Sequence, residues 1–407
     1  MEQWLERVDG GVTAPRGFRA AAVRCGIRQA EGDDLGLLVC DGKCTAAAAT
    51  FTTNRVAAAP VRWSRRTMRL GKVSAAVVNA GNANACTGER GLRDVEATAA
   101  RAAELLGLRP ENFLVASTGI IGRQLPIERL LEGLPRAAAA LDSSPEAGER
   151  FARAIMTTDK TLKQAAFRCD LGRGRTVMLG GATKGAGMIA PGMATTLSFL
   201  TTDAAIGRPL LGKLLRQAVA ETYNCISIDG HMSTNDTVLC LASGQANAPR
   251  VAEGTPAARR FGAALRALCE ELALKIVADG EGATRLVRIE VAGAPSRAAA
   301  RAVGRAIADS PLCKCALHSG DPNWGRFVSA AGYACKELDE GKTRLYIGGV
   351  LAYAAGAGEA DADDLAASMA GREVTLRIEL GLGRAKATVW TCDLSKEYVA
   401  INAEYRT

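Results

Sequence analysis

The chain is poor in the residue types that most often mark a catalytic base or an aromatic core. Its 407 residues include only two histidines, His231 and His318, and Phe, Trp and Tyr together make up 4%. A Ser-His-Asp triad therefore has few candidates for its central base. No apolar run approaches the roughly 18 uninterrupted residues of a membrane span, and the first residues include two acids, unlike a signal peptide. We therefore expect a cytoplasmic protein without a membrane partner.

Two other common patterns are also missing. The formal net charge is +8, but the densest basic segment, residues 61–69, is short, so we expect no nucleic-acid partner. A modest positive excess suits small anionic substrates. The twelve cysteines have no compact spacing, which is typical of reduced, mostly buried thiols. Cys313, Cys315 and His318 lack the second ligand pair of a zinc site, so we expect no metal and no other cofactor.

The most informative segment is residues 184–200. Its first half is rich in glycine, which allows backbone shapes that other residues resist. Its second half is apolar after Thr195 and Thr196, which indicates a buried strand. A threonine hydroxyl becomes a good nucleophile beside a base, and after chain cleavage the threonine's own α-amine can be that base. From residue types alone, a glycine-rich turn before an ordinary core strand is the alternative.

The stretch 184–197 resembles the self-cleavage motif of the ornithine acetyltransferase family, the bifunctional glutamate N-acetyltransferase of arginine biosynthesis. In that family a Lys-Gly-x-Gly-Met loop leads into Pro-x-Met-Ala-Thr. The resemblance implies cleavage between Ala194 and Thr195, with Thr195 as the new N-terminus and nucleophile. It also implies two chains, 1–194 and 195–407, that fold together and assemble as two copies of each.

Other segments match motifs of the same family. The Ser-Thr-Gly sequence around Thr118 and Gly119 offers a hydroxyl and a backbone N–H of the kind that stabilises an oxyanion, although alone it reads as an ordinary turn. The resemblance implies that these two residues form the oxyanion hole. It further implies a substrate site in which Lys184 binds a carboxylate and Glu281 binds an amine; its members are Thr158, Lys184, Thr195, Glu281, Asn402 and Thr407. From residue types alone, we would expect Lys184 to be a solvated lysine and Glu281 to be an acid on a surface turn.

Three positions depart from the family pattern. Ala186 stands where serine is frequent, Gly192 stands where asparagine is usual, and His231 stands where an acid is usual. The first change removes a hydroxyl, and the second alters the residues beside the scissile bond. We expect cleavage to occur nevertheless, because the nucleophile and the oxyanion-hole residues are all present.

Hydrophobic periodicity predicts an α/β protein, and the resemblance implies a layered α/β sandwich of the self-cleaving ornithine acetyltransferase type with a smaller C-terminal α/β part. Strands are predicted at 18–26, 45–55, 74–79, 113–116, 163–169, 175–179, 237–242, 286–291, 374–380 and 387–391. Helices are predicted at 92–106, 126–141, 145–155, 208–223, 256–277, 295–308 and 361–369. Ser144 and Thr255 are placed to cap two of these helices. The C-terminal end, 393–407, resembles a family segment that folds into the active site.

The expected reaction transfers the acetyl group of N2-acetylornithine to glutamate through an acetyl ester of Thr195, with acetyl-CoA as a further donor that the sequence leaves open. Two alternatives remain at this stage. One is an amidase or aminopeptidase with an N-terminal threonine and water as the acceptor. The other is a binding protein of the same fold that does not cleave itself.

Overall fold

The computed structural model describes residues 3–42, 44–190 and 196–404. The predicted cleavage position Ala194–Thr195, together with Gly192 and Thr407, lies outside these residues.

Strands and helices alternate along the described residues. The strands are β1 (Leu5–Val8), β2 (Phe18–Val23), β3 (Leu35–Cys40), β4 (Ala46–Phe51), β5 (Ala75–Asn82), β6 (Phe113–Ile120), β7 (Gln164–Asp170), β8 (Thr176–Lys184), β9 (Leu197–Thr202), β10 (Thr237–Ala242), β11 (Leu286–Ala294), β12 (Arg344–Ile347), β13 (Val350–Ala354), β14 (Ala357–Gly358), β15 (Glu373–Glu379) and β16 (Ala385–Cys392). The helices are α1 (Ala59–Leu70), α2 (Gly88–Leu106), α3 (Ile127–Ala139), α4 (Pro145–Ala154), α5 (Arg208–Glu221), α6 (Pro256–Ala278), α7 (Arg297–Asp309), α8 (Pro311–Ser319), α9 (Trp324–Ala334), α10 (Ala362–Ser368) and α11 (Lys396–Glu404).

Two sheets packed face to face form the main body, which we call the sandwich. The first has the order β1-β7-β8-β9-β10-β4 and the second the order β2-β3-β5-β6. Phe199 and Leu239 of the first sheet pack against Leu38, Val78 and Leu114 of the second. Helices α1, α2 and α3 cover the outer face of the second sheet, and α5 and α6 cover the first. The result is four layers, helix–sheet–sheet–helix.

Burial on both faces explains why the sandwich strands read as continuous apolar runs. In β10, Val238 and Cys240 belong to the core under the helices, whereas Leu239 and Leu241 belong to the core between the sheets. Alternate side chains of a strand point to opposite faces, so both sets must be apolar here.

The C-terminal part, residues 286–392, has its own sheet in the order β14-β13-β12-β15-β11-β16. Val287, Ile289 and Val291 of β11 are buried against helices α7 to α10, while Arg288 is exposed. One face of this sheet is therefore exposed to water, in agreement with the alternation of apolar and charged residues along β11.

The sandwich is built from both sides of the predicted cleavage position. The first sheet takes β1, β4, β7 and β8 from residues before 194, and β9 and β10 from residues after it. β8 pairs antiparallel with β9, with Lys184 opposite Leu197. The chain segment between Lys184 and Leu197 therefore connects two strands that are paired with each other.

The predicted fold class, a layered α/β sandwich with a further C-terminal α/β part, is confirmed, and every predicted helix and strand overlaps an observed one. Ser144 and Thr255 accept hydrogen bonds from the first turns of their helices, as predicted. The predicted strand 113–116 was too short. The observed strand β6 continues to Ile120, so Thr118 and Gly119 lie in a strand and not in a turn. The strand continues because β5 pairs with it up to Asn82.

Candidate active site

Lys184, the last residue of β8, is at the centre of the site. Its side chain is buried, with 4% of the residue exposed, so the reading of a solvated lysine is wrong. Its Nζ donates hydrogen bonds to Thr157 Oγ1 at 2.6 Å and to Thr118 Oγ1 at 3.2 Å. The lysine thus joins β8 of the first sheet to β6 of the second, at one edge of the sandwich.

Gly119 lies next to Thr118, where β6 approaches β5 very closely. Its φ is +130°, and a Cβ added there would lie 2.3 Å from the carbonyl carbon of Gly81. No residue with a side chain fits such a position. The glycine is therefore required by the close approach of the two backbones.

Glu281 follows α6 and is buried, so the reading of a surface acid is wrong. Its backbone N–H donates to the carbonyl of Ala186 at 2.8 Å. Its carboxylate lies over Gly187, where an added Cβ would meet Oε2 at 2.4 Å. Asn402 of α11 donates through Nδ2 to Glu281 Oε2 at 2.8 Å. The glycine-rich loop, the α6 loop and the C-terminal helix therefore converge on one carboxylate.

Thr196 is held beside these groups by Asp236. The backbone N–H of Thr196 donates to Asp236 Oδ1 at 3.1 Å, and its hydroxyl donates to the carbonyl of Lys184 at 3.0 Å. Asp236 Oδ2 is buried and has no hydrogen-bond partner within the described parts of the chain. Thr118, Lys184, Thr196, Leu197, Asn235 and Asp236 line one small cavity.

A buried ion triad, consisting of Asp159, Lys163 and Asp279, lies behind Lys184. Lys163 Nζ donates to Asp159 Oδ1 at 2.7 Å and also to Asp279 Oδ2. The side chains of Lys163 and Asp159 are fully buried and that of Asp279 is 5% exposed. Asp159 Oδ1 also accepts the N–H of Gly185 at 2.7 Å. The triad is therefore attached to the loop that starts at Lys184.

Burial and neighbouring charges act against each other in this cluster. Burial lowers the pKa of Lys184, and the carboxylates of Asp159, Glu281 and Asp236 oppose that shift. Burial acts to raise the pKa of Asp159, but Lys184, Lys163 and the N–H of Gly185 outweigh it, so the pKa is below its ordinary value. The pKa of Asp236 is raised well above its ordinary value, mainly by burial. The site thus combines an ionised carboxylate with a carboxyl group that favours its neutral form.

The structure brings together five of the residues named from the sequence: Thr118, Gly119, Lys184 and Glu281, with Asn402 bound to the carboxylate of Glu281. Thr158 is partly exposed, and the hydroxyl that contacts Lys184 belongs to its neighbour Thr157. The remaining two, Thr195 and Thr407, lie outside the described residues. Of the departures from the family pattern, Ala186 is buried and His231 is exposed.

The sequence analysis missed Thr157, Asp159, Asp236, Asp279 and Lys163. The first four lie in segments that are rich in polar residues, 156–159, 228–236 and 279–284. That density of polar residues is a signal by which they could have been found. Lys163 has no such signal, because it begins an extended run beside ordinary strand residues.

The segment that raised the question of a metal site has another explanation. His318 Nδ1 lies 2.7 Å from Asp393 Oδ2, and Asp393 also accepts hydrogen bonds from the N–H groups of Thr284 and Arg285. Cys313 is buried and Cys315 is exposed. Among the residues that the structure describes, no group of three or more His, Cys, Asp and Glu could hold a metal ion, and no helix is long and apolar enough to span a membrane.

Known proteins resemble this chain over nearly its whole length. The model of the ArgJ family matches residues 19–407. The arginine biosynthesis bifunctional protein ArgJ of Symbiobacterium thermophilum is 47% identical over 99% of this chain and 100% of its own. Streptomyces clavuligerus has an arginine biosynthesis bifunctional protein ArgJ 1 that is 47% identical over 97% of this chain and 99% of its own.

A solved structure is also similar. The ornithine acetyltransferase of Mycobacterium tuberculosis, crystallised with ornithine, is 37% identical and covers 47% of this chain and 100% of its own, with a TM-score of 0.44. The matches along the whole length confirm the predicted family and its enzyme class, the acyltransferases. The chain belongs to the ArgJ family.

Proposed function

We propose that the chain is a self-processing N-acetyltransferase of arginine biosynthesis that moves an acetyl group from N2-acetylornithine to glutamate. The observation that carries this proposal is the meeting of Thr118, Lys184, Glu281 and Asn402 at the end of β8, in a member of this family. These residues supply the polar groups that an amino acid and an acyl-transfer oxyanion require.

The first step makes the nucleophile. Cleavage between Ala194 and Thr195 gives Thr195 a free α-amine, which accepts the proton of its own hydroxyl when that oxygen attacks the acetyl carbonyl. The amide C–N bond breaks, the α-amine passes the proton to the departing amine of ornithine, and the acetyl group remains as an ester on Thr195. The amine of glutamate then attacks the ester carbonyl and loses a proton to the α-amine, the ester C–O bond breaks, the threonine oxygen regains the proton, and N-acetylglutamate leaves. Two acyl transfers through one threonine replace a direct exchange between two amines.

Thr118 and Gly119 are assigned to the oxyanion. Thr118 Oγ1 accepts a hydrogen bond from Lys184, so its own hydrogen remains available to a developing negative charge. A hydroxyl that accepts from a cation is also a better donor, because hydrogen bonds in a chain polarise one another.

Lys184 and Glu281 are assigned to the charged ends of the substrate. Lys184 Nζ has three hydrogens, and its two bonds within the described residues go to threonine hydroxyls, which leaves one for a carboxylate. Among the described residues, Glu281 Oε2 accepts from Asn402, and we assign Oε1 to the amine of the substrate. Thr158 and Thr407 complete the proposed substrate site.

Several further properties are part of the proposal. The relatives are named bifunctional, which supports acetyl-CoA as a second donor. We propose that the enzyme needs no cofactor, works in the cytoplasm and assembles as two copies each of chains 1–194 and 195–407. Strand pairing across the cleavage position supports chains that stay together after cleavage.

The proposal is tested first by the intact mass of freshly purified, denatured protein. We expect two chains, 1–194 and 195–407, and a gain of one acetyl group on the second chain after incubation with N2-acetylornithine. The matched control is Thr195→Ser, which keeps a hydroxyl and should still cleave, whereas Thr195→Ala should remain one chain.

The two alternatives give different results. Release of acetate without transfer to glutamate would indicate an amidase with water as its acceptor. A single uncleaved wild-type chain that gains no acetyl group from either donor would indicate a binding protein, and the proposed function would be wrong.

A further inference from the structure

The ion triad of Asp159, Lys163 and Asp279 touches both loops that carry the charged groups of the site. Asp159 accepts the N–H of Gly185, directly after Lys184. Asp279 lies two residues before Glu281, at the end of α6. Lys163 bonds to both carboxylates and is itself fully buried. A single ammonium group therefore connects the backbone beside Lys184 to the backbone before Glu281.

Each carboxylate of the triad also holds neighbouring backbone. Asp279 Oδ2 accepts the N–H groups of Lys160 and Thr161 at 3.0 and 3.2 Å. Asp159 Oδ2 accepts the N–H of Thr157, whose hydroxyl contacts Lys184. These bonds fix the segment 157–163 against both loops at once. A carboxylate that is bound in this way can change its position only if the backbone moves with it.

Stability alone does not explain why the fold buries these three charges. Burying three charges costs free energy before their attraction is counted, and apolar side chains of similar size often stabilise a core as well or better. What an apolar core does not provide is a directional link between two loops. The backbone bond from the N–H of Glu281 to the carbonyl of Ala186 already joins the two loops at one point, and the triad joins them at a second point.

We propose that Lys163 is a positioning residue that sets the separation of Lys184 and Glu281, and through it the binding of the carboxylate and amine of an amino-acid substrate. This inference rests on the proposed function, because it takes Lys184 and Glu281 as the substrate-binding groups. Lys163 is buried and bonded to the two carboxylates, so it acts through them and not on the substrate.

The test is the Lys163→Met variant, which keeps the length of the side chain and removes its charge. Two buried carboxylates then lose their common cation and repel each other, so the two loops move apart. We expect KM for N2-acetylornithine and KM for glutamate both to rise, by about 10-fold to 100-fold, since the loss of a hydrogen bond to a charged group weakens binding by about this factor. We expect kcat to change much less, because an interaction that serves ground state and transition state alike acts on KM.

Lys314→Met is the matched control. Lys314 is also a buried lysine, 3% exposed, but it lies on α8 and donates to Thr391 Oγ1 at 2.9 Å. Its loss should lower Tm and leave both KM values within about twofold of the wild type, within ordinary variation for a residue outside the site. A second variant, Lys163→Met with Asp279→Asn, removes the repulsion and should recover part of the lost affinity. If Lys163→Met does not accumulate as folded protein, Asp279→Asn alone tests the same link.

The outcomes separate this inference from the proposed function. The proposed function is tested with the wild-type protein, by its intact mass and by its transfer of acetyl groups. Suppose that the wild type is active and that Lys163→Met has a lowered Tm but unchanged KM values. The triad would then have only a structural role, and the inference would be wrong. A rise in both KM values with unaltered cleavage, and recovery in the double variant, would support it.

Discussion

The sheets of the sandwich and of the C-terminal part place their charged residues in opposite ways. Where β8, β9 and β10 meet, the sandwich buries Thr183, Lys184, Thr196, Ser198 and Asp236, which bond mainly to one another. The sheet of the C-terminal part instead buries an apolar face and turns its charged residues outward. Burying polar groups costs free energy, so their concentration at this edge of the sandwich marks a place where they serve more than packing. The C-terminal part also buries one lysine, Lys314, but on helix α8 and not on its sheet.

The largest difference between the two regions is expected for glycine substitutions. Gly119→Ala places a Cβ against backbone atoms of Gly81, at a φ that alanine rarely adopts. We expect a loss of about 3 kcal/mol or more in the free energy of unfolding, or failure to fold. Urea unfolding measures the change.

Gly332→Ala is the counterpart in the C-terminal part. This glycine lies in α9, and an added Cβ would meet no heavy atom within 4 Å. The substitution should stabilise the protein by up to about 1 kcal/mol, because alanine favours a helix more than glycine does. Equal effects of the two substitutions would show that the tight approach of β5 and β6 is not a constraint.

The next effect concerns pH and the buried carboxyl of Asp236. Its pKa is raised in the folded protein, so it contributes stability that is complete below the unfolded pKa of about 3.9 and is lost as pH rises toward the folded pKa. Asp236→Asn keeps an oxygen for the N–H of Thr196 but does not ionise. We therefore expect the stability of the wild type relative to this variant to fall as pH rises above 4, by at most about 1.4 kcal/mol per pH unit, until the folded pKa is reached.

The measurement is urea unfolding of both proteins at several pH values between 4.5 and 7.5, after their chain composition has been matched by intact mass. Titrating groups away from Asp236 are common to both proteins and cancel in the difference, which leaves Asp236 and its coupling to Lys184. A difference that stays constant over this range would contradict a raised pKa for Asp236.

The smallest effect is expected on the wet face of the C-terminal sheet. Arg288 and Glu290 form an ion pair of 2.8 Å, with 53% and 31% of their side chains exposed. Water and salt screen such pairs, so Arg288→Ala should change the free energy of unfolding by no more than about 0.5 kcal/mol. A loss several times larger would mean that this face is covered by another surface, and the contrast with the sandwich would disappear.

Local sequence was sufficient for most secondary structure and for part of the site. The strand 237–242 was predicted with its observed bounds, because its apolar run ends sharply at polar residues. Lys184 and Glu281 were found through motifs that resemble those of the family. Helix α1 was not predicted, because Ser64 and Thr67 on its buried side interrupt the apolar pattern. Lys163 was not predicted, because nothing near it in sequence differs from an ordinary strand.

The sequence by itself determined the family, the layered α/β class and the segments that carry the proposed chemistry, since strand periodicity, helix caps and the glycine-rich loop are all local patterns. Tertiary structure alone decided which charges lie together. Lys163 and Asp279 are far apart in the chain, as are Glu281 and Asn402, yet each pair is in contact. The physical reason is that burial and side-chain pairing depend on how the layers pack. The sequence around a residue has no periodic pattern that identifies a partner from a distant segment.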